Sequence, residues 1–326
     1  MQTVSLLDLP HRKAAALLAT GVPVYVTVNP VEYHGPHLSL HNDRWVALGL
    51  CRRIHAELAP DHPDWPLVLA DDLEIGHEAC KGSGSRVIDA RTEKELVLET
   101  ARSLAELGAR RVVLMTFHGG PLHNLALDAA VRYLGTRGVR AIAPLGLVLS
   151  SLVQLVDPSE YADALEPVAD AEARARLSAR LHEDFHAGFF ETSMALALAP
   201  HTVDGHLSLP ACPAIAPDPG LRALAHAARL SGRTGLSREL ELAALAAGWG
   251  ELDPFPGYTS EPAYANAASG EAFVRHALRK MMPLVRGVLE RGEEAPAPPM
   301  AWLDRLTWGG RLLPPTSFAE RRSSTG

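Results

Sequence analysis

The alternation of apolar and polar positions divides the chain into strands and helices in a regular rhythm. A short helical pattern covers Arg12–Leu18 and is closed by Gly21. Val22–Val28 (VPVYVTV) follows, a β-branched apolar run that predicts a buried strand. Ala47, Cys51, Ile54 and Leu58 recur at helical spacing, with Asn42 or Asp43 as the cap and Asn42 the better choice if Asp43 is engaged elsewhere. Leu67–Ala70 predicts a second strand, and the capping-box pattern Thr92–Glu95 opens a helix that runs to Leu107 and stops at Gly108. Arg111–Thr116 predicts a strand, Asn124–Leu134 a helix, and Arg140–Leu147 a further strand. Strand, helix, strand, helix in this order predicts an α/β fold around a mostly parallel sheet.

The second half reads as mainly helical. Glu166–Glu183 has helical periodicity, and Gly188 is placed to end that helix before a new apolar run begins at Glu191 and halts at Pro200. His201–Pro219 predicts a Pro-rich loop, Ser237–Ala247 a short helix, and Gly257–Gly270 a loop able to line a pocket. Ser269 is placed to cap a long helix to Arg291, whose buried face carries Phe273, Ala277, Met281, Leu284 and Val288. Residues 1–292 therefore form the core, and 293–326 are a Pro-rich linker and a tail. Trp302, Leu306, Trp308, Leu312 and Phe318 in that tail predict a segment that packs back on the body or on a neighbouring subunit.

Composition narrows the class. Of the 326 residues, 47% are apolar and 21% charged, as in ordinary globular proteins. A net charge of −7 without a basic run argues against a nucleic-acid partner. No apolar stretch approaches the roughly 20 residues that span a bilayer, so no membrane partner is expected. The three cysteines, Cys51, Cys80 and Cys212, share no close spacing and fit a reducing cytoplasm. Without a signal-peptide pattern at the start of the chain, a cytoplasmic location is the expectation.

Chemistry concentrates in Asn29–Asp43 (NPVEYHGPHLSLHND), directly after the first buried strand. Side chains two apart on a strand point the same way, so Glu32 and His34 project together and Asp43 returns across a short loop. Carboxylates and an imidazole converging on one point suit a divalent metal such as zinc or manganese; the alternative is a polar loop with solvated histidines. His118, followed by Gly119-Gly120, sits after another strand. Open parallel sheets bind ligands at the carboxyl ends of their strands, so the two loops can meet over one site. The Gly-rich Lys81–Ser85 loop permits close backbone approach but lacks the lysine of a phosphate cradle. A third stretch, DFHAGFFETS, holds His186 and Glu191. Glu191 is either a functional carboxylate or an acid favoured by a helix N-terminus.

Taken together, Glu32-Tyr33-His34-Gly35-Pro36-His37-Leu38 with Asp43, His118-Gly119-Gly120, and His186-Ala187-Gly188 with Glu191-Thr192-Ser193 resemble the creatininase (creatinine amidohydrolase) family. The resemblance spans residues 1 to about 290. It implies a three-layer α/β/α sandwich, a homo-oligomer (in this family usually a hexamer), and hydrolysis of C–N bonds with one or two divalent ions of zinc, manganese or iron. On that pattern Glu32, Asp43 and His118 hold one metal and His34 and Asp43 the second, with Asp43 bridging. His186 takes the place of the family's catalytic histidine, the candidate general acid. Gly120 stands where creatinine amidohydrolase has a glutamate ligand, which makes Glu191 the candidate replacement as well as a candidate catalytic residue. Pro121 replaces the asparagine of other His-Gly-Gly members, and Phe185 stands where creatinine amidohydrolase has a glutamate. Leu147–His186 contains no tryptophan to close over creatinine. The resemblance therefore implies an amidohydrolase in which metal-bound hydroxide attacks an amide, lactam or formamide of a small molecule or short peptide, outside ordinary peptide bonds and not on creatinine. The competing reading is an inactive binding or assembly subunit of the same family.

Overall fold

A computed structural model of the protein describes residues 2–153, 157–309 and 312. Its centre is a sheet of parallel strands, β1 (Thr3–Ser5), β2 (Pro23–Val28), β3 (Leu67–Leu73), β4 (Arg111–Met115) and β5 (Arg140–Ile142), in the order β1-β3-β2-β4-β5. Strand β2 is central and buried along its whole length, which is why its sequence is apolar without alternation. Val24 lies level with Val68 and Val112, and Tyr25 with Val113.

Side chains leave the two faces of this sheet alternately, and each face meets its own layer of helices. Val24, Val26 and Val28, with Val68, Val112 and Leu114, pack under α1 (His11–Ala19), α3 (Ala90–Leu107) and α4 (Pro121–Thr136). Tyr25, Val113 and Met115 face α2 (Asn42–Leu58), α5 (Pro144–Val153), α8 (Phe189–Leu198) and α11 (Ala267–Arg286). Burying each such aliphatic or aromatic side chain contributes about 1.5–3 kcal/mol before entropy is counted. The architecture is the three-layer α/β/α sandwich that the motifs imply. The remaining helices are α6 (Ala162–Leu165), α7 (Ala171–Arg180), α9 (Pro219–Leu230), α10 (Thr234–Gly250) and α12 (Trp302–Leu306).

Several boundaries differ from the expected ones, each for a local reason. Helix α2 starts at Asn42 itself, with His41 in the cap position and no side-chain cap. Helix α3 is capped by Asp89, whose carboxylate accepts from the Thr92 amide, so Thr92 lies inside the first turn. Strand β5 ends at Ile142 because Pro144 starts α5 within the segment expected to stay extended. Helix α7 begins at Ala171, after Asp170 caps it. Gly188 does not close that helix but stands in the N-cap position of α8. Helix α9, capped by Asp218, occupies the alanine-rich stretch between the Pro-rich loop and Ser237. Asn266, not Ser269, caps α11, accepting from the Ser269 amide, and the helix passes into a π-turn at Gly287–Arg291.

The tail meets the body through its first half. The Met300 amide and the Trp302 indole donate to Glu239 of α10 at 3.0 and 2.7 Å, and Asp304 pairs with Lys94 of α3 at 3.2 Å. Leu306, Trp308 and Leu312 do not pack on the body of their own chain and remain well exposed, and Phe318 lies outside the described residues. Among the described residues no helix is long and apolar enough to cross a membrane.

Candidate metal centre

Parallel strands bring all their carboxyl ends to one edge, and here the loops after β2, β3 and β4 open side by side. Asn29 links two of them, its side-chain oxygen accepting from the Phe117 amide at 2.9 Å and the Thr116 hydroxyl at 3.2 Å. Glu32 and His34 follow β2, His118 follows β4, and Asp43 enters from the first turn of α2. Glu32, His34 and Asp43 are each 1% exposed, which rejects the solvated-loop alternative.

Asp43 faces two histidines. Asp43 Oδ1 lies 3.0 Å from His34 Nε2, and Oδ2 lies 3.7 Å from His118 Nδ1. His118 Nδ1 is also 2.9 Å from Glu32 Oε2. The opposite nitrogen of each ring is committed to backbone: His34 Nδ1 to the Glu32 carbonyl at 3.0 Å, His118 Nε2 to the His77 carbonyl at 3.0 Å. These bonds fix the orientation of both rings and turn the other nitrogen of each toward the carboxylates, the support that metal-ligating histidines require.

A cation fits this donor set. Glu32 Oε2 and Asp43 Oδ2 are buried without a hydrogen bond, and Glu32, Asp43 and His118 offer ligand atoms within 4.8 Å of one another. Burial alone would lower both histidines. The carboxylates overrule it, Asp43 foremost for His34 and Glu32 foremost for His118, and hold each up at about 10. Glu191 is pushed the other way, up to about 8, by burial. Without an ion the two imidazoliums balance the carboxylates, and a divalent ion would take over that positive charge as the rings give up their protons.

Glu191 sits in the first turn of α8, so it is a helix N-terminal acid and a site carboxylate at once. Its Oε2 accepts from the Ala187 amide at 2.6 Å and lies 3.8 Å from His34 Nε2. His186 stacks on His34 with ring centroids 4.4 Å apart. Its Nε2 donates to the Tyr33 carbonyl at 3.0 Å. The loop 257–266 does not line the cavity. It braces the His186 loop from behind, with Thr259 Oγ1 accepting from the Phe185 and His186 amides at 3.2 Å.

The glycines act by close approach. A Cβ on Gly120 would lie 2.6 Å from His118 Nε2, so the second glycine of the motif leaves that ring its place. Gly82, at φ +159°, packs against the Tyr33 ring, where a Cβ would come within 2.3 Å, so the Lys81–Ser85 loop receives a side chain and not a phosphate.

Three contributors had no signal in the sequence motifs. The loop after β3 supplies the His77 carbonyl and the Cys80 amide, which donates to Glu32 Oε1 at 2.6 Å. Behind it, Glu93 and His123 form a fully buried ion pair between α3 and α4; His123 Nε2 lies 2.9 Å from Thr116 Oγ1, and the Thr116 hydroxyl accepts from the His118 amide at 3.0 Å. Trp249 of α10 reaches within 5.0 Å of the His186 ring, centroid to centroid. With Phe117, Phe185, Phe190 and Trp302 it walls a cavity of about 540 Å³ into which the polar cluster opens.

Known proteins resemble this chain in sequence and in fold. A mycofactocin precursor peptide peptidase of Mycobacterium ulcerans is 33% identical over 139 residues, 40% of this chain and 53% of that protein. The match thus spans about half the length of that relative. A creatinine amidohydrolase of Pseudomonas putida is 26% identical over 211 residues, 60% of this chain and 72% of the relative. Among solved structures, a creatininase mutant complexed with creatine superposes with a TM-score of 0.55 at 20% identity, covering 89% of this chain and 100% of the other. A structure titled "Creatininase Mn" gives 0.53 at 20% identity, with coverage of 89% and 100%. At such identity the structural likeness speaks for the fold alone. The family description creatininase, creatinine amidohydrolase, matches residues 8–285, and the chain belongs to the creatininase family.

Proposed function

We propose that the protein is a metal-dependent hydrolase of C–N bonds, acting on an amide, lactam or formamide of a small molecule or short peptide other than creatinine. The observation that carries this reading is Asp43, whose two buried oxygens face His34 on one side and His118 on the other. Glu32, Asp43 and His118 would hold one ion, and His34 and Asp43 a second, with Glu191 as the further carboxylate. Mixed nitrogen and oxygen donors suit zinc, manganese or iron. A bound ion would supply a Lewis acid for the carbonyl and lower the pKa of a bound water from about 15.7 to near 7.

The chain's own groups handle the proton. Burial, and after it the charge of His34, holds His186 down at about 4, so its ring is neutral at pH 7. With Nε2–H committed to the Tyr33 carbonyl, Nδ1 is the atom left to take a proton and return it to the leaving nitrogen. Phe117, Phe185, Phe190 and Trp249 line the space beside that transfer. The name of the mycobacterial relatives brings peptide bonds into the substrate class, wider than the sequence motifs implied. The tryptophans beside this site come from α10 and the tail, so its pocket has its own shape.

Elemental analysis of the purified protein, with lactams, formamides and short peptides offered to metal-loaded and chelated samples, tests the proposal. At least one equivalent of divalent metal, and hydrolysis lost on chelation and restored on reloading, is expected. Failure to take up zinc, manganese or iron would reject it in favour of a binding subunit.

A further inference from the structure

The polar cluster accounts for only part of the cavity. Beyond it the walls are apolar: Ala243, Ala246 and Trp249 from α10 face Met300, Trp302 and Leu303 from the tail. Glu239 also borders this space, yet both its oxygens are occupied, Oε1 by the Met300 amide and Oε2 by the Trp302 indole. It therefore works as a clasp and not as a charge presented to a ligand. Met300 stands at φ +57°, a left-handed conformation unusual for a residue with a side chain. The Glu239 bond and the Leu303 amide, which donates to the Met300 carbonyl at 2.8 Å, over-determine it. Asp304 anchors the far side of the segment on Lys94. The whole clasped segment lies past residue 285, where the family match ends, so this wall is an addition to the shared core.

We propose that this outer part of the cavity is a subsite for a bulky apolar, preferably aromatic, group of the substrate, and that Pro299–Leu303, clasped by Glu239, is its specificity-determining wall. The proposal rests on the hydrolase reading and names the substrate class of the same site: a C–N bond with a phenyl-sized or branched apolar group a few bonds away. The volume agrees, since about 540 Å³ lies within the range of roughly 300–1,000 Å³ that holds whole small ligands.

Two probe series on the full chain test it. Zinc-loaded protein is titrated calorimetrically with acetohydroxamate and 3-phenylpropanohydroxamate. Metal-free protein is titrated with acetamide and 3-phenylpropanamide, followed by ligand-observed NMR. The phenyl member of each pair is expected to bind at least about tenfold tighter than its methyl partner. Leu303→Ala and Glu239→Ala should each cut that ratio about threefold or more. Leu306→Ala, in the same short helix but 65% exposed and away from the cavity, should leave it unchanged. Melting curves establish that each variant is folded, and the two wall variants act on different elements, so one misfolded protein does not remove the test. A ratio near one in both series, or a ratio that the wall variants do not move, overturns the subsite. If hydroxamates bind zinc-loaded protein no better than the amides bind metal-free protein, the metal-hydrolase reading falls, while a preserved phenyl preference in the amide series still upholds the subsite.

Discussion

At the scale of single residues, the site depends on groups with more than one task. Asp43 faces two histidines with two oxygens, so Asp43→Ala should remove a ligand from both metal positions. Elemental analysis should show that variant with less metal than His34→Ala or His118→Ala, and equal retention would reject a bridging Asp43. Gly120→Ala places a Cβ 2.6 Å from His118 Nε2, where the bond to the His77 carbonyl forms. Displacing that supporting bond is expected to weaken metal binding about 10–100-fold, read by competition with a chromogenic chelator; unchanged affinity would mean the ring adjusts freely. His186→Ala should keep its metal and lose about 10²–10⁴-fold in kcat, with smaller losses on activated anilides that need less protonation. Equal losses across leaving groups would reject its role as proton carrier. The ligands themselves were legible because Glu32, His34 and Asp43 lie close together in the chain and carry their chemistry in side chains. His77 and Cys80 were not, because they act through a carbonyl and an amide that every residue type possesses.

At the scale of elements, the loops after β2, β3 and β4 are held in register by pairs that cross between helices. Glu93 of α3 and His123 of α4 are both 0% exposed, and the Glu93 carboxylate also accepts from the His77 amide at 2.7 Å. Burial pushes Glu93 up, but the His123 charge and these hydrogen bonds outweigh it, and its pKa lies below the ordinary value. A depressed carboxylate stabilises the fold above its unfolded pKa, about 4.3, and loses that contribution as pH falls through the folded value. Glu93→Gln should therefore flatten the loss of stability between about pH 5 and the acid transition, measured by urea unfolding at successive pH values. It should also cost about 1–3 kcal/mol at pH 7, because a neutral acceptor replaces the carboxylate in the buried bond to His123. An unchanged pH profile would show that the pair is not linked to stability. Strand positions and the long helices were legible from periodicity. The caps were less so, because Asp89 competes with Thr92 and Asn266 with Ser269. Which one wins depends on where the sheet sets the helix.

At the scale of the whole molecule, sheet, helices and tail contribute separately to one cavity, and only the first two follow the family pattern. Trp249 and Trp302 were illegible as cavity walls, since neither lies near a motif and their meeting depends on how α10 and the tail fold back. The strength of that return can be set out from its contacts. Two hydrogen bonds to Glu239 are worth about 0.5–1.5 kcal/mol each. The Lys94–Asp304 pair, partly exposed on both sides, adds no more than about 1 kcal/mol. Trp302 is still 37% exposed and buries less than a full aromatic side chain. Against these gains stands the entropy of ordering the chain from Pro299 onward, so the net attachment is modest. Truncation after Pro298 is accordingly expected to lower the melting temperature by only a few degrees, while opening the cavity on the side of Met300, Trp302 and Leu303. Scanning calorimetry reads the first effect. Analytical ultracentrifugation reads whether the exposed Leu306, Trp308 and Leu312 belong to a contact between subunits, in which case truncation also reduces the sedimentation coefficient beyond the mass removed. If melting temperature and assembly size both stay the same, the tail is a free appendage and the clasp at Glu239 does not hold in solution.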